Sequence, residues 1–197
     1  MKFYIVDAFT SVPFGGNTAG VVLLEDDKGF PSDTLMQKIA AQLRYSETAF
    51  IKQNGERDFT IRYFTPEGEV DLCGHATIAS FKVLMECGKA TEGDVCLNRT
   101  LAGDLNVYVG EQIMMDMATP QVVGKKVEMK ELYRIMAGRE METVQELPVE
   151  IISTGLPDII LPLASVEELQ SLKPDMQALA QLSKEMEVTG VHAFAIA

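Results

Sequence analysis

Tryptophan is absent from this 197-residue chain, and it holds only two histidines and three cysteines. With His75 and His192 alone, no multi-histidine metal centre can be assembled, so metal catalysis is not expected. Cys73, Cys87 and Cys96 are an odd number without a paired C-x-x-C spacing, which argues against a disulfide framework and for free thiols in the cytoplasm. The first residues carry only the short apolar run Phe3 to Val6 before Asp7, unlike a secretory leader. No apolar stretch approaches the roughly 18 residues needed to span a bilayer. Basic residues are also scarce: 17 Lys and Arg stand against 29 Asp and Glu, a formal net charge of −12. Such a chain repels nucleic-acid phosphates and anionic lipid headgroups, and no Lys/Arg stripe with interleaved aromatics offsets this, so neither nucleic acid nor membrane is an expected partner. What is present, 47% hydrophobic and 23% charged residues, suits one large domain or two smaller ones sharing an interface.

Two short runs, Phe3 to Asp7 and Val21 to Leu24, read as strands joined by the glycine-rich Phe14-Gly15-Gly16-Asn17-Thr18-Ala19-Gly20, which is expected to be a loop. That loop leads into an apolar strand rather than a helix, so it is not a dinucleotide-binding fingerprint, although Asn17 is placed to face a ligand. From Ser32 or Asp33, good capping residues, the apolar positions Leu35, Met36, Ile39, Ala40 and Leu43 recur at helical spacing to about Arg44, and Thr48 to Lys52 reads as strand. Glu47 thereby falls at a helix-to-strand junction. Phe59, Ile61 and Tyr63 alternate with polar residues as in a half-buried strand, and Pro66 with Gly68 supplies the next turn. Leu105 to Val109 and Ile113 to Met117 form a hairpin around Gly110, and Val127 to Ala137 an amphipathic helix.

The segment Glu69-Val70-Asp71-Leu72-Cys73-Gly74-His75-Ala76-Thr77 places a thiol, a glycine and an imidazole where an extended run becomes a helix. A helix start carries unpaired backbone N–H groups and the positive end of the peptide dipoles, so a small carboxylate can dock there if nothing bulky intervenes. Gly74 leaves that approach clear. The following helix is apolar on nearly every side as far as Glu86, the signature of a helix buried all round, where backbone donors act strongly on an anion.

From Pro148 onward the chain repeats the order of its first fifty residues: strand at Val149 to Ser153, turn at Gly155, strand at Ile159 to Leu163, helix from Pro174, and a final strand. In this echo Ser46-Glu47-Thr48-Ala49-Phe50-Ile51 lies against Gly190-Val191-His192-Ala193-Phe194-Ala195, with Val191 opposite Glu47. The chain stops at Ala197, before a second version of Arg62 to Ser80.

Four stretches together resemble the phenazine-biosynthesis isomerase family, the PhzF-like proteins: Val6-Asp7-Ala8-Phe9-Thr10 with Gly16-Asn17, Ser46-Glu47-Thr48-Ala49-Phe50, Phe64-Thr65-Pro66 with Glu69 to Thr77, and Ser153-Thr154-Gly155-Leu156-Pro157. The resemblance implies an α+β, diaminopimelate epimerase-like fold of two pseudo-symmetric domains. Each is a barrel-like, mostly antiparallel sheet around a central helix, here residues 1–120 and an incomplete 121–197. It also implies a cofactor-independent isomerase acting on a small carboxylate-bearing metabolite, with Glu47 as proton shuttle, the Gly74-His75 loop and, with less weight, Asn17 holding substrate, and no metal. The family's second signature, facing Glu47 from the other domain, is missing, which reads as a fragment or shortened relative. Unpaired edges in the incomplete domain invite a homodimer.

A single carboxylate can move a proton between two carbons by acting first as base and then as acid. Two other readings stand beside this one. In racemases and epimerases of the same fold a thiol directly before glycine is one of two acid/base groups, a role Cys73 could fill, although the echo region has no second cysteine. The chain could also be a noncatalytic paralogue that binds a small acid or a partner protein. His75 is read as a substrate hydrogen-bonder, and His192 as structural or surface.

Overall fold

The computed structural model describes residues 1–25, 28–144 and 146–196. The chain divides into two compact units, Met1–Asp116 and Met117–Ala197.

The first unit opens with β1 (Lys2–Ala8) and β2 (Asn17–Leu23), an antiparallel pair. The expected loop is therefore shorter at its distal end, because Asn17 to Gly20 already belong to β2. Parallel strands need a crossover, and α1 (Asp33–Leu43) supplies it between β2 and β3 (Thr48–Gly55). Ser32 caps α1 by accepting a bond from the Leu35 amide, and Arg44 ends it in the left-handed conformation. Next come β4 (Asp58–Phe64), the two-residue β5 (Glu69–Val70) and α2 (Gly74–Glu86). β6 (Val95–Thr100), β7 (Gly103–Tyr108) and β8 (Met114–Met115) complete an eight-stranded sheet in the order β1-β2-β3-β4-β6-β7-β8, with β5 paired to β4.

This sheet curls around α2, which touches β1, β2 and β3 near one end of the strand order and β8 at the other. The helix has the all-round burial that its composition suggests: His75, Ala76, Thr77, Ala79, Ser80, Phe81, Val83 and Leu84 are all buried. Phe81 meets Phe59 of β4 edge-on, ring centroids 5.7 Å apart, a contact worth about 1 kcal/mol beyond the area it buries. A second cluster on the outer face of the sheet, with Val22, Leu24, Met36, Ala40 and Phe50, holds α1 in place.

The second unit contains β9 (Gln121–Val123), α3 (Met129–Ala137), β10 (Glu150–Ser153), β11 (Pro157–Leu163), the short α4 (Val166–Gln170), α5 (Met176–Met186) and β12 (Val191–Ala195). Its sheet runs β12-β11-β10-β9, antiparallel except for the parallel pair β11 and β12. Ile151, Ile159, Leu161 and Leu163 form its core with Leu132, Ile135 and Met136 of α3 and Leu182 of α5.

The echo between the two units is real at the level of strand order, but its register differs from the one the sequence suggests. In the first unit the Gly20 amide donates to the Glu47 carbonyl at 3.0 Å, and Gly20 pairs with Thr48. In the second the Ile159 amide donates to the Gly190 carbonyl at 3.0 Å, and Ile159 pairs with Val191. The faces agree with this match. Val22 and Leu24 share a cluster with Met36 and Ala40 of the crossover helix in one unit, and Leu161 and Leu163 share one that includes Leu182 of the crossover segment in the other. Glu47 thus corresponds to Gly190, one residue away from the Ala-Phe alignment.

Candidate functional site

Glu47 sits between the end of α1 and the first residue of β3, and the bond from the Gly20 amide to its carbonyl ties its backbone to β2. Thr48 beside it is fully buried, so the junction is fixed on both sides. From there the Glu47 side chain, 21% exposed, reaches the beginning of α2, where its Oε2 lies 3.3 Å from His75 Nε2. Ser46 Oγ is also 3.3 Å from that nitrogen, and Cys73 Sγ is 3.3 Å from His75 Nδ1. Glu47 from one motif and Cys73 and His75 from another therefore meet: one ligating atom from each falls within 4.8 Å of the others.

The protonation pattern follows from burial. His75 is only 9% exposed, and loss of solvation lowers its pKa below the ordinary imidazole value, with the Glu47 charge opposing. Burial pushes the Cys73 thiol up to about 12, and the nearby Glu47 carboxylate adds to the rise. His75 Nε2 faces Ser46 Oγ and Glu47 Oε2, and Nδ1 faces Cys73 Sγ, so the neutral ring has two tautomers open to it: Nε2–H toward Ser46 and Glu47 with the thiol donating to Nδ1, or Nδ1–H toward the sulfur with the Ser46 hydroxyl donating to Nε2. Glu47 Oε2 is buried and accepts no hydrogen bond, which leaves it an unsatisfied acceptor at the centre of the cluster.

Cys73 is the N-cap of α2 and makes no side-chain capping bond, so the opening amides of the helix have no partner of that kind. Gly74 is exposed, its φ is not positive, and a Cβ built on it would meet nothing within 4 Å. The fold does not demand glycine there. Its lack of a side chain instead leaves the space in front of the first turn open.

A buried relay holds that turn in place. The Asn98 amide on β6 donates to Tyr63 Oη at 3.0 Å, and Thr77 Oγ1 donates to the Cys73 carbonyl at 2.7 Å. Because the Thr77 proton is committed, Tyr63 Oη donates to Thr77 Oγ1, at 2.7 Å. None of Tyr63, Thr77 and Asn98 is exposed. Sequence reasoning missed this relay and Ser46 alike: Tyr63 reads as an ordinary inward strand residue, and a lone Asn or Thr gives no signal.

Asn17 is not brought into the cluster by any contact among the described residues. It begins β2 opposite Ala8, three positions before the Gly20 level at which Glu47 is tied. The turn preceding it is tightly built: Asp7 accepts from the Phe14 amide at 2.9 Å and from Thr18 Oγ1 at 2.5 Å, and a Cβ on Gly16 would lie 2.1 Å from the Ala8 carbonyl oxygen. Cys87, at the far end of α2 against Tyr4, and His192, exposed on β12, are away from the cluster in sequence and in their own contacts.

A curled sheet wrapped around a buried helix is an α+β fold found in solved structures of PhzF-family proteins and of proteins described as epimerases. A "Predicted Epimerase" from Pseudomonas aeruginosa shares the fold, with a TM-score of 0.75 at 20% identity over 98% of this chain and 69% of that one. The family described as phenazine biosynthesis-like protein matches residues 6–197, and the chain belongs to it. The crystal structure of a PhzF-family phenazine biosynthesis protein from Bacillus anthracis superposes with a TM-score of 0.84 at 29% identity, covering 99% of this chain and 67% of that one. An uncharacterized isomerase of Bacillus subtilis is 36% identical over 95% of this chain. The chain spans 65% of that relative's length. No helix among the described residues is long and apolar enough to cross a membrane.

Proposed function

We propose that this chain belongs to an isomerase that moves a proton within a small carboxylate-bearing metabolite, with Glu47 as the acid/base and the Gly74-His75 turn as the substrate anchor. The observation that carries the reading is the Glu47 carboxylate itself: Oε2 is buried, unbonded, and held 3.3 Å from His75 Nε2 at the open start of α2. A carboxyl group in that position accepts a proton from a carbon next to the substrate's carboxylate and returns it to a second carbon, which requires no proton carrier besides itself. The negative charge that develops on the substrate is met by the first-turn amides of α2 and its dipole, inside a largely buried site where such donors act strongly. His75, kept neutral by burial, orients the ligand beside Glu47 without competing for the proton.

The alternative acid/base, Cys73, has less to support it. Burial holds its proton at neutral pH, and a two-thiol mechanism needs a second cysteine at the site, whereas Cys87 lies at the other end of α2.

The test is incorporation of solvent deuterium into carboxylate-bearing candidate substrates incubated in heavy water. Glu47→Gln is expected to abolish incorporation and leave ligand binding largely intact, while Cys73→Ala keeps it. Exchange that survives Glu47→Gln, or dies only with Cys73→Ala, overturns the assignment.

A further inference from the structure

Two histidines in the whole chain made a metal centre seem out of reach, yet the fold gathers three ligand types of different hardness at one point. Sγ of Cys73, a ring nitrogen of His75 and a carboxylate oxygen of Glu47 all lie within 4.8 Å of one another. In a tetrahedral zinc site with bonds of about 2.0–2.3 Å, ligand atoms stand roughly 3.3–3.8 Å apart, so closing the set asks for shifts of about an ångström. A cation takes one ring nitrogen: through Nδ1 the Cys73 Sγ contact is already at that spacing, through Nε2 the Glu47 Oε2 contact is, each 3.3 Å, and the remaining ligand is the one that must move in. The side chains that supply them start from a helix N-cap, the first turn of a buried helix and a strand junction, all held by backbone bonds. An unsatisfied, buried Glu47 Oε2 is an independent sign of a position built to receive a positive or donating group.

We propose that Glu47, Cys73 and His75 form a three-ligand site for a borderline-soft divalent cation such as zinc, with solvent as the fourth ligand. The thiol, imidazole and carboxylate set selects for zinc and cobalt over magnesium and calcium, which require several oxygen ligands. Binding replaces the Cys73 S–H bond by a sulfur–metal bond and releases that proton to solvent. Glu47 is the most exposed of the three, at 21%, which leaves the fourth position open toward water. The same cation would occupy the Glu47 oxygen that the proposed isomerisation uses, making zinc an inhibitor. The site itself rests on geometry alone and stands whether or not Glu47 shuttles protons.

The experiment uses the reduced, metal-free 197-residue chain titrated with cobalt(II) chloride and then with zinc chloride, so binding is read without any activity. One equivalent of cobalt is expected to give a thiolate-to-cobalt charge-transfer band with the intense visible bands of tetrahedral geometry, and zinc to abolish both, while magnesium and calcium leave them unchanged. Cys73→Ser removes the charge-transfer band, whereas Cys87→Ser and Cys96→Ser keep it. Glu47→Gln, with its fold checked by circular dichroism, keeps the band and weakens cobalt binding about tenfold or more. Absence of the band in the unmodified chain overturns the proposal. So does a band that persists in Cys73→Ser, or an affinity that Glu47→Gln leaves unchanged.

Discussion

Replacing Tyr63 by phenylalanine deletes one oxygen from the middle of the relay that anchors the first turn of α2. The hydroxyl accepts from Asn98 Nδ2 at 3.0 Å and donates to Thr77 Oγ1 at 2.7 Å, and all three side chains are fully buried. Its removal leaves a buried amide donor without an acceptor, and Asn98 Oδ1 already lacks a partner, so the Asn98 side chain loses its one hydrogen bond among the described residues. A single missing oxygen leaves too little space for a bridging water. Two lost bonds at about 1 kcal/mol each, with an unsatisfied buried donor, put the cost at roughly 2–4 kcal/mol. Urea unfolding followed by circular dichroism measures this directly, and a double-mutant cycle with Thr77→Val should return a coupling of about 1 kcal/mol. Amide exchange at Thr77, whose N–H donates to the Cys73 carbonyl, should accelerate relative to Leu84, because the Thr77 hydroxyl anchors that same carbonyl and so the start of the helix. A loss below about 0.5 kcal/mol, with unchanged exchange at the helix start, would refute the claim that this relay positions the site.

Gly74→Ala should leave stability unchanged or raise it by up to about 1 kcal/mol, since a Cβ there meets no neighbour and alanine favours helix. The deuterium-incorporation assay should nevertheless lose about tenfold in kcat/KM, the worth of one hindered hydrogen bond; equal loss of both, or of neither, counts against the open-turn argument. For His75, burial lowers the folded pKa below about 6.5, so between the folded value and 6.5 the unfolded chain binds more protons. Its contribution to stability is therefore complete above that pH, falls on acidification through it and levels off below the folded pKa. Proton NMR should find the His75 midpoint under 6.5, and a midpoint at or above that value would reverse the sign. Arg62 donates from Nε and Nη2 to the two Glu69 oxygens at 2.7 and 2.6 Å and from Nη1 to Asp33 at 2.7 Å, with its guanidinium 5.3 Å from the Phe64 ring centroid. Arg62→Lys keeps the charge but loses the fork and the stacking, and thermal unfolding should report a loss of about 1–2 kcal/mol, against near zero if charge alone matters.

Much of the first unit was legible because its signals are local. Ser32 marks the start of α1, alternation marks β4, and the apolar run after His75 marks a helix buried on every side. What escaped was polar and non-local. β6 has the burial alternation of a strand, but one of its inward positions is Asn98, which breaks the apolar pattern and is tolerated only because Tyr63, 35 residues away, accepts its proton. The three-residue β9 and the five-residue α4 are too short for any periodicity to register. At the site, motif position brought Glu47 and His75 forward together, whereas the tautomer of His75 depends on Ser46 and Cys73 contacts that only the folded chain provides.

The register of the internal echo bears on the chemistry. Matching Ala49-Phe50 to Ala193-Phe194 sets Val191 against Glu47, but a one-residue slip exchanges the two faces of a strand. The hydrogen bonds from Gly20 and from Ile159, and the faces that meet the crossover helices, place Gly190 at the position of Glu47. Under either alignment the second unit carries no carboxylate at the position matching Glu47, and under the structural one it carries no side chain there at all; Glu187, in the same junction, is the left-handed C-cap of α5, matching Arg44, and pairs with Lys125. Two units that share one three-strand arrangement, β1-β2-β3 and β10-β11-β12, therefore differ where acid/base chemistry would be mounted. A mechanism requiring matching acids at these two equivalent positions cannot be built from these residues, whereas one in which Glu47 both takes and returns the proton needs no acid from the second unit. That asymmetry is the physical reason for assigning proton transfer to a single carboxylate.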